Sequence, residues 1–214
     1  MSADTGTDVS IFLQSIHAIS SPKDCGAIYD QWARTYDIDV RHAGVDYVAP
    51  AVTAQAVVAA NGNITGSVLD AGCGTGSVGV ALSQAGAKNI DGIDISSGML
   101  NVARKSGVYS DLTVVDMSKV IDKQDQSYDV ITCVGIFTEA HVSTVPALRE
   151  LIRIVKEDGL VVCTIVDEVW VPGVYEAEVE RLDVAGAVNV LSAAVANYRR
   201  GTNKRARMVI LRRR

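Results

Sequence analysis

The sequence predicts a doubly wound α/β domain: a mostly parallel seven-stranded sheet with helices between its strands and an antiparallel C-terminal hairpin. Three observations predict it. Short apolar runs rich in Val and Ile recur between segments of helical periodicity, the pattern of strands buried on both faces. The first run, Val68-Leu69, ends on Asp70 and leads into glycines at 72, 74 and 76, a tight turn before a helix. The last two runs are separated by Gly201-Thr202-Asn203, a hairpin signal.

The elements follow in order. Ile11, Phe12, Ile16 and Ile19 have helical spacing over 9–19, which Pro22 ends. Ser21-Pro22 is a helix entry, and a helix through Tyr29, Trp32, Ala33 and Tyr36 follows. Tyr29-Asp30 and Tyr36-Asp37 repeat one heptad apart. Pro50 opens a helix that ends at Asn61-Gly62. Strands are then expected at 67–70, 89–93, 112–115, 128–134 and 159–166, with helices at 77–85, 97–106 and 145–155. An acidic helix at 173–182 precedes final strands within 185–198 and 205–211.

With 214 residues, the chain suits one domain with a sizeable core. It has no apolar run long enough to cross a bilayer, and its polar, acidic start lacks signal-peptide character, so a cytoplasmic protein is expected. Cys25, Cys73, Cys133 and Cys163 form no C-x-x-C pair, and no metal site is expected. Cys133 and Cys163 lie in strand runs and read as buried thiols. Eight of the 20 Lys and Arg fall in 199–214 with no acid, leaving 12 against 25 acidic residues elsewhere. Apolar residues alternate with that basic run, which suits a solvated edge hairpin better than a nucleic-acid surface, for which stacking aromatics are missing.

The glycine turn decides function. Gly74-Thr75-Gly76-Ser77-Val78-Gly79 also satisfies G-x-G-x-x-G, so a dinucleotide is one reading. Asp70 argues against it: a carboxylate aimed into the loop would repel a pyrophosphate and suit a ligand bearing an ammonium, such as S-adenosylmethionine. In such a sheet, ligands lie beyond the carboxyl ends of the strands. That rule selects Asp70 to Gly76 (including Gly72, Cys73, Gly74 and Thr75), Asp94, Asp116, Gly135 to His141, and Asp167-Glu168, with Ile95, Met117 and Val134 as adjoining cofactor-binding candidates. Asp94 is placed to accept ribose hydroxyls, with Ser96 or Ser97 capping the next helix. Asp116 offers an acceptor for an exocyclic amine, and Met117 an apolar surface. Met99 packs on the nucleoside or in the core. Gly135 allows close approach, and His141 and Glu139 are the candidate general bases.

With these residues placed, residues 29–170 resemble class I S-adenosylmethionine-dependent methyltransferases. The glycine motif, Gly92-Ile93-Asp94-Ile95-Ser96 and Asp167-Glu168-Val169-Trp170 resemble the Williams–Beuren-region methyltransferase-like proteins and their microbial and fungal relatives. The resemblance implies a Rossmann-like fold with residues 9–60 as an N-terminal helical lid, whose Tyr29 and Tyr36 close over the cofactor. It implies methyl transfer to a small-molecule O, N or C nucleophile, with S-adenosylhomocysteine as product. One departure is Lys156-Glu157-Asp158-Gly159, where relatives carry proline and two glycines. Protein or RNA methylation, a cyclisation on a cofactor-binding fold, and a binding partner without turnover are the competing readings.

Overall fold

Ser21 opens the first described helix, its hydroxyl accepting the Asp24 N–H at 3.2 Å while Pro22 occupies the first turn. The structure, a computed structural model, describes residues 19, 21–42, 47–138, 144–171, 175–196 and 205–214. The helix expected over 9–19, the hairpin turn at 201–203, Glu139 and His141 therefore lie outside the described residues.

Helix α1 (Pro22–Trp32) does not run on through Tyr36 as the periodicity suggested. A turn at 33–35 breaks it, and α2 (Tyr36–His42) starts afresh. The break is held by the Trp32 indole, which donates to Asp39 at 2.7 Å in a buried bond, and by the Trp32 ring meeting Tyr36 edge-on at 4.8 Å. Helix α3 (Ala49–Ala59) ends where Asn61 turns to φ +53°.

Strand β1 (Ser67–Ala71), α4 (Ser77–Gln84), β2 (Asn89–Asp94), α5 (Ser97–Ala103) with a short 3-10 turn after it, and β3 (Asp111–Val114) build one half of the sheet. The chain then crosses to β4 (Tyr128–Phe137), α6 (Thr144–Ile154) and β5 (Val155–Val166). A short helix, α7 (Asp167–Trp170), not anticipated from the pattern, leads to α8 (Tyr175–Val184), β6 (Val188–Ala196) and β7 (Ala206–Arg213). The strand order is β3-β2-β1-β4-β5-β7-β6, with β7 antiparallel to both β5 and β6 and the remaining pairs parallel. The seven-stranded, mostly parallel sheet with its antiparallel hairpin matches the sequence expectation.

The strand order reverses between β1 and β4, so the crevice for a ligand lies outside the carboxyl ends of these two strands. The interior strands bury Val68, Leu69, Val130, Ile131, Cys133 and Val161 to Cys163 almost completely, and the paired cysteines of β4 and β5 are free thiols. In the turn before the apolar part of β5, Asp158 adopts φ +60° and Gly159 lies directly against the Asp129 and Lys156 carbonyls.

The β6–β7 hairpin lies at the edge of the sheet, as expected, but the arginines of 212–214 are bound to neighbouring groups and not simply solvated. Strand β7 is interior and β6 is the edge. Arg213 donates to the carbonyls of Ile152, Arg153 and Val155 at the end of α6, where a cation suits the helix C-terminus. Arg212 bonds the carbonyls of Ala60 and Asp158, and Arg214 bonds Asn189. These guanidinia join β7 to its neighbours.

Glu178 of α8 is buried and accepts from both Arg181 and Arg149, the latter on α6. These hydrogen bonds, Arg181 first, outweigh burial and hold its carboxyl down at about 2. A depressed folded value means the stabilisation is present above the unfolded value near 4.5 and is lost as pH falls toward 2. Glu178→Gln should therefore cost about 1–3 kcal/mol at pH 7 in urea unfolding, and the gap should close below pH 3.

Candidate active site

The glycine loop leaves β1 at Ala71 and bends through three left-handed residues, Gly72 (φ +72°), Gly74 (φ +54°) and Gly76 (φ +97°). Side chains rarely adopt this conformation, and Gly76 is also the N-cap of α4. The loop is tied to β2 by the N–H groups of Gly72 and Cys73, which both donate to the Ile93 carbonyl. Asp94, at the end of β2, is 7% exposed and accepts from Gly74 N–H at 2.9 Å with one oxygen and Ser96 N–H at 2.9 Å with the other. Burial raises its carboxyl above the ordinary range, and the backbone bonds from Ser96 and Gly74 oppose that rise. Each oxygen keeps lone-pair capacity beyond its one backbone bond. No heavy atom lies within 4 Å of the position a Cβ would take on Gly74, so the loop backbone next to this carboxylate faces open space.

Asp70 is differently placed from the expectation. It is 1% exposed, and its oxygens accept from Tyr109 Oη at 2.8 Å and Thr132 Oγ1 at 3.1 Å. Burial pushes its carboxyl up to about 6 against these two hydrogen bonds. The carboxylate is directed under the loop, toward its own scaffold, instead of into the crevice toward a ligand ammonium.

Tyr109 is the residue that explains the remaining glycines. A Cβ on Gly79 would collide with its hydroxyl, one on Gly92 would lie 3.0 Å from its ring, and one on Gly76 3.1 Å from its ring. The third glycine of the dinucleotide-like pattern is thus room for an aromatic ring beneath the loop, which removes that part of the pyrophosphate argument. Cys73 is buried beside it, and burial together with Asp70 and Asp94 pushes the thiol well up, in keeping with no redox role.

Of the other expected residues, Ile95 lies at the β2 exit, where its carbonyl would sit 3.4 Å from a Cβ on Gly26 of α1. Met99 is buried, 2% exposed, and its N–H is capped by Ser96 Oγ at 3.0 Å. Asp116 accepts from the Ser118 N–H and hydroxyl and pairs with Lys119 at 3.1 Å. Its partial burial opposes ionisation, but the Ser118 bonds and Lys119 win and hold the carboxyl below its usual range. Met117 is buried, with its Cε 3.4 Å from where a Gly72 Cβ would stand. Val134 packs into the core at the end of β4. Gly135 (φ +76°) sits in a register shift of β4 and donates its N–H to Thr164 Oγ1 at 2.9 Å, so the bulge re-aims the strand end beside the crevice. The neighbouring Ile136 side chain lies directly against Gly72.

The Tyr-Asp repeat has a specific geometry. One oxygen of Asp30 accepts from Ser96 Oγ at 2.7 Å, Gly98 N–H at 2.7 Å and Ser97 Oγ at 3.3 Å. Asp37 accepts from Thr75 Oγ1 at 2.7 Å, on the glycine loop itself. Each acid fastens one N-terminal helix to one loop of the crevice. Tyr29, Trp32 and Tyr36 form an aromatic cluster between them, with ring centres 4.8 to 6.2 Å apart. Cys25, one helical turn before Tyr29, is buried, and its thiol is pushed up to about 11 by burial and by the negative charges of Asp94 and Asp116. Helix α1 therefore lies close to both Asp94 and Asp116 and is fastened to the loop after β2. Cys25, Asp30, Asp37 and Thr132 were not singled out as site residues from the sequence, whereas Ile136 falls in the stretch selected after strand four. The heptad repeat of the acids, matched against Ser96, Ser97 and Thr75, was the available signal for two of them.

Asp30→Ala should raise the KM for S-adenosylmethionine about tenfold, from the loss of charge-assisted bonds worth about 1–3 kcal/mol, with a smaller change in kcat. Asp30→Asn keeps the accepting Oδ1 and should recover most of the loss in the same steady-state assay.

The profile described as the methyltransferase domain matches residues 68–159. Human methyltransferase-like protein 27 is 29% identical over 185 residues, covering 84% of this chain and 74% of that protein. Demethylmenaquinone methyltransferase of Streptomyces avermitilis is 30% identical over 71% of this chain, which spans 64% of that protein. Ubiquinone biosynthesis O-methyltransferase of Actinobacillus pleuropneumoniae is 36% identical over 47% of this chain and 46% of its own length. The fold is shared with magnesium protoporphyrin IX methyltransferase of Synechocystis with bound S-adenosylhomocysteine (TM-score 0.60, 21% identity, 87% of this chain and 94% of that one). It is shared also with the [4+2]-cyclase SpnF (TM-score 0.70, 18% identity, 91% of this chain and 97% of that one). Fold and site define a class I methyltransferase. The chain is an S-adenosylmethionine-dependent enzyme of that class.

Proposed function

We propose that residues 1–214 form one catalytic unit that transfers a methyl group to a small-molecule O, N or C nucleophile, with residues 9–60 as its lid. The observation that carries this reading is the clamping of α1 and α2 over the crevice by Asp30 and Asp37. A crevice roofed by the enzyme's own helices suits an acceptor small enough to be enclosed. Relatives named for menaquinone and ubiquinone biosynthesis support the same class.

The residues present fit the cofactor. Asp94 is a buried acceptor for ribose hydroxyls, Gly74 leaves its backbone open beside it, and Ile95, Met99, Asp116, Met117 and Cys25 line the nucleoside end. Gly72, Cys73, Thr75, Gly76, Val134 and Gly135 supply the loop and strand-end backbone for the amino-acid end, with Tyr29 and Tyr36 above. When bound, S-adenosylmethionine supplies an already activated methyl group. The chain's task is then to orient the nucleophile and exclude water. Asp70, through Tyr109 and Thr132, holds the loop in shape from below, a positioning role. His141 and Glu139 remain our candidates for removing a proton from an acceptor of high pKa.

The test is incubation with S-adenosylmethionine and hydroxylated, amino and carbon-acid acceptors. S-adenosylhomocysteine should accumulate one-for-one with methylated product. Turnover of an acceptor without S-adenosylhomocysteine would favour the cyclisation reading, and methylation confined to protein or RNA would overturn the small-molecule one.

A further inference from the structure

Four buried side-chain polar atoms among the described residues have no hydrogen-bond partner: Thr53 Oγ1, Asp167 Oδ1, Trp170 Nε1 and Arg207 Nε. Buried polar groups left unpaired in a native fold call for a water, an ion or a ligand. Thr53 stands apart in α3, but the other three belong to one cluster. Asp167 and Trp170 are the two ends of α7, directly after β5, and Arg207 of β7 is paired with Ile165 of β5. Arg207 Nε approaches Asp167 Oδ1 at 3.3 Å, close enough for an ion pair but without hydrogen-bond alignment. The Arg207 guanidinium carbon lies 5.1 Å from the centre of the Trp170 ring. The other partners are fixed: Arg207 Nη1 bonds the Ala193 carbonyl at 3.1 Å, and Arg205 Nε pairs with Asp167 Oδ2 at 3.0 Å.

The unmet demand is two N–H donors and one oxygen acceptor. A hydroxyl group carries one donor and two lone pairs, the complement of that set. A carboxylate would accept from Trp170 and Arg207 but oppose Asp167, and an ammonium would serve Asp167 alone. We propose that Trp170, Arg207 and Asp167 form a subsite that anchors a hydroxyl group of the acceptor, separate from the atom that is methylated. This rests on the small-molecule methyltransferase reading and narrows its substrate class.

Position supports the division of labour. Strand β5 lies two places from β1 in the sheet, which puts the cluster about 10 Å from the glycine loop, the width of a ring or two. The Gly135–Thr164 bond ties β4 to β5 within that span. The acceptor therefore presents its nucleophile at the cofactor and a second, hydroxyl-bearing end at α7. The side chains of Asp167 and Arg207 keep 20% and 30% of their surface exposed, and that of Arg205 keeps 69%. The unpaired atoms themselves are buried, so a ligand reaches them only by displacing a neighbouring side chain, and Arg205, paired with Asp167, is the most exposed of the cluster.

The chain has two tryptophans, so indole N–H resonances in a proton–nitrogen correlation spectrum are separable, and Trp32 is already bonded to Asp39. Protein saturated with S-adenosylhomocysteine is titrated with phenol, with benzene as control. The Trp170 resonance should move downfield and saturate with phenol and stay in place with benzene. Trp170→Phe should delete that resonance and weaken phenol binding at least fivefold, and Asp167→Asn, which keeps the indole, should weaken it likewise. S-adenosylhomocysteine affinity should change less than twofold in both. An unmoved resonance, an equal response to benzene, or a persistent water contact at the indole that phenol does not displace overturns the subsite. Failure of S-adenosylhomocysteine to bind would instead strike the cofactor reading, and phenol titration of the unloaded chain would still decide the subsite.

Discussion

Asp94→Ala is expected to abolish most S-adenosylmethionine binding, by about 1–3 kcal/mol for each charge-assisted hydrogen bond lost, or at least tenfold in Kd by calorimetry. The effect has two sources. The carboxylate is a buried acceptor at the switch point of the sheet, and it also holds the Gly74 and Ser96 N–H groups that shape the loop and start α5. Asp94→Asn separates them. Its amide oxygen can serve one N–H, while its NH2 group faces the other as a second donor. The loop should therefore loosen on one side only, and affinity should fall between that of the parent and the alanine variant. Unchanged binding in Asp94→Ala would remove this residue from the site.

Tyr109→Phe should destabilise the protein by about 1–3 kcal/mol at pH 8, because it leaves a buried carboxylate oxygen of Asp70 without its donor. The pH dependence identifies the cause. Asp70 has a folded value raised to about 6 from 3.8. Its contribution is most favourable below the unfolded value, where the group is neutral in both states, and is lost as pH rises through the folded one. Removing the tyrosine hydroxyl pushes the folded value higher still. The cost of Tyr109→Phe should thus be smaller at pH 4 than at pH 8, and should vanish as a function of pH in an Asp70→Asn background. Gly79→Ala should be more severe than either, since its Cβ would collide with the hydroxyl of Tyr109, whose ring is packed against Gly76 and Gly92 as well.

These residues also show where the sequence was readable. The central strands β4 and β5 were legible because burial on both faces demands nearly continuous apolar side chains, as in Val130 to Val134 and Leu160 to Val166, each broken by one threonine, Thr132 and Thr164. The glycine loop was legible because only glycine serves positive φ at 72, 74 and 76. Asp70 was misdirected by its position. A carboxylate at a strand tip looks like a ligand contact, and only the fold reveals that Tyr109, 39 residues on, takes it up from below. The same limit applies to Gly79, whose reason is a ring distant in sequence. The break after Trp32 depends on a buried indole bond to Asp39 that helical periodicity does not encode. The edge hairpin was legible, but pattern does not show that β7 is its inner strand, set beside β5, where arginines reach helix-end carbonyls.

The most direct test is a crystal structure with S-adenosylhomocysteine. The account predicts the ribose hydroxyls on Asp94, the base between Cys25 and Asp116, and the Ile136 side chain moved away from Gly72. Ligand bound elsewhere, with Ile136 still against Gly72 and Asp94 touching only Gly74 and Ser96, would contradict it.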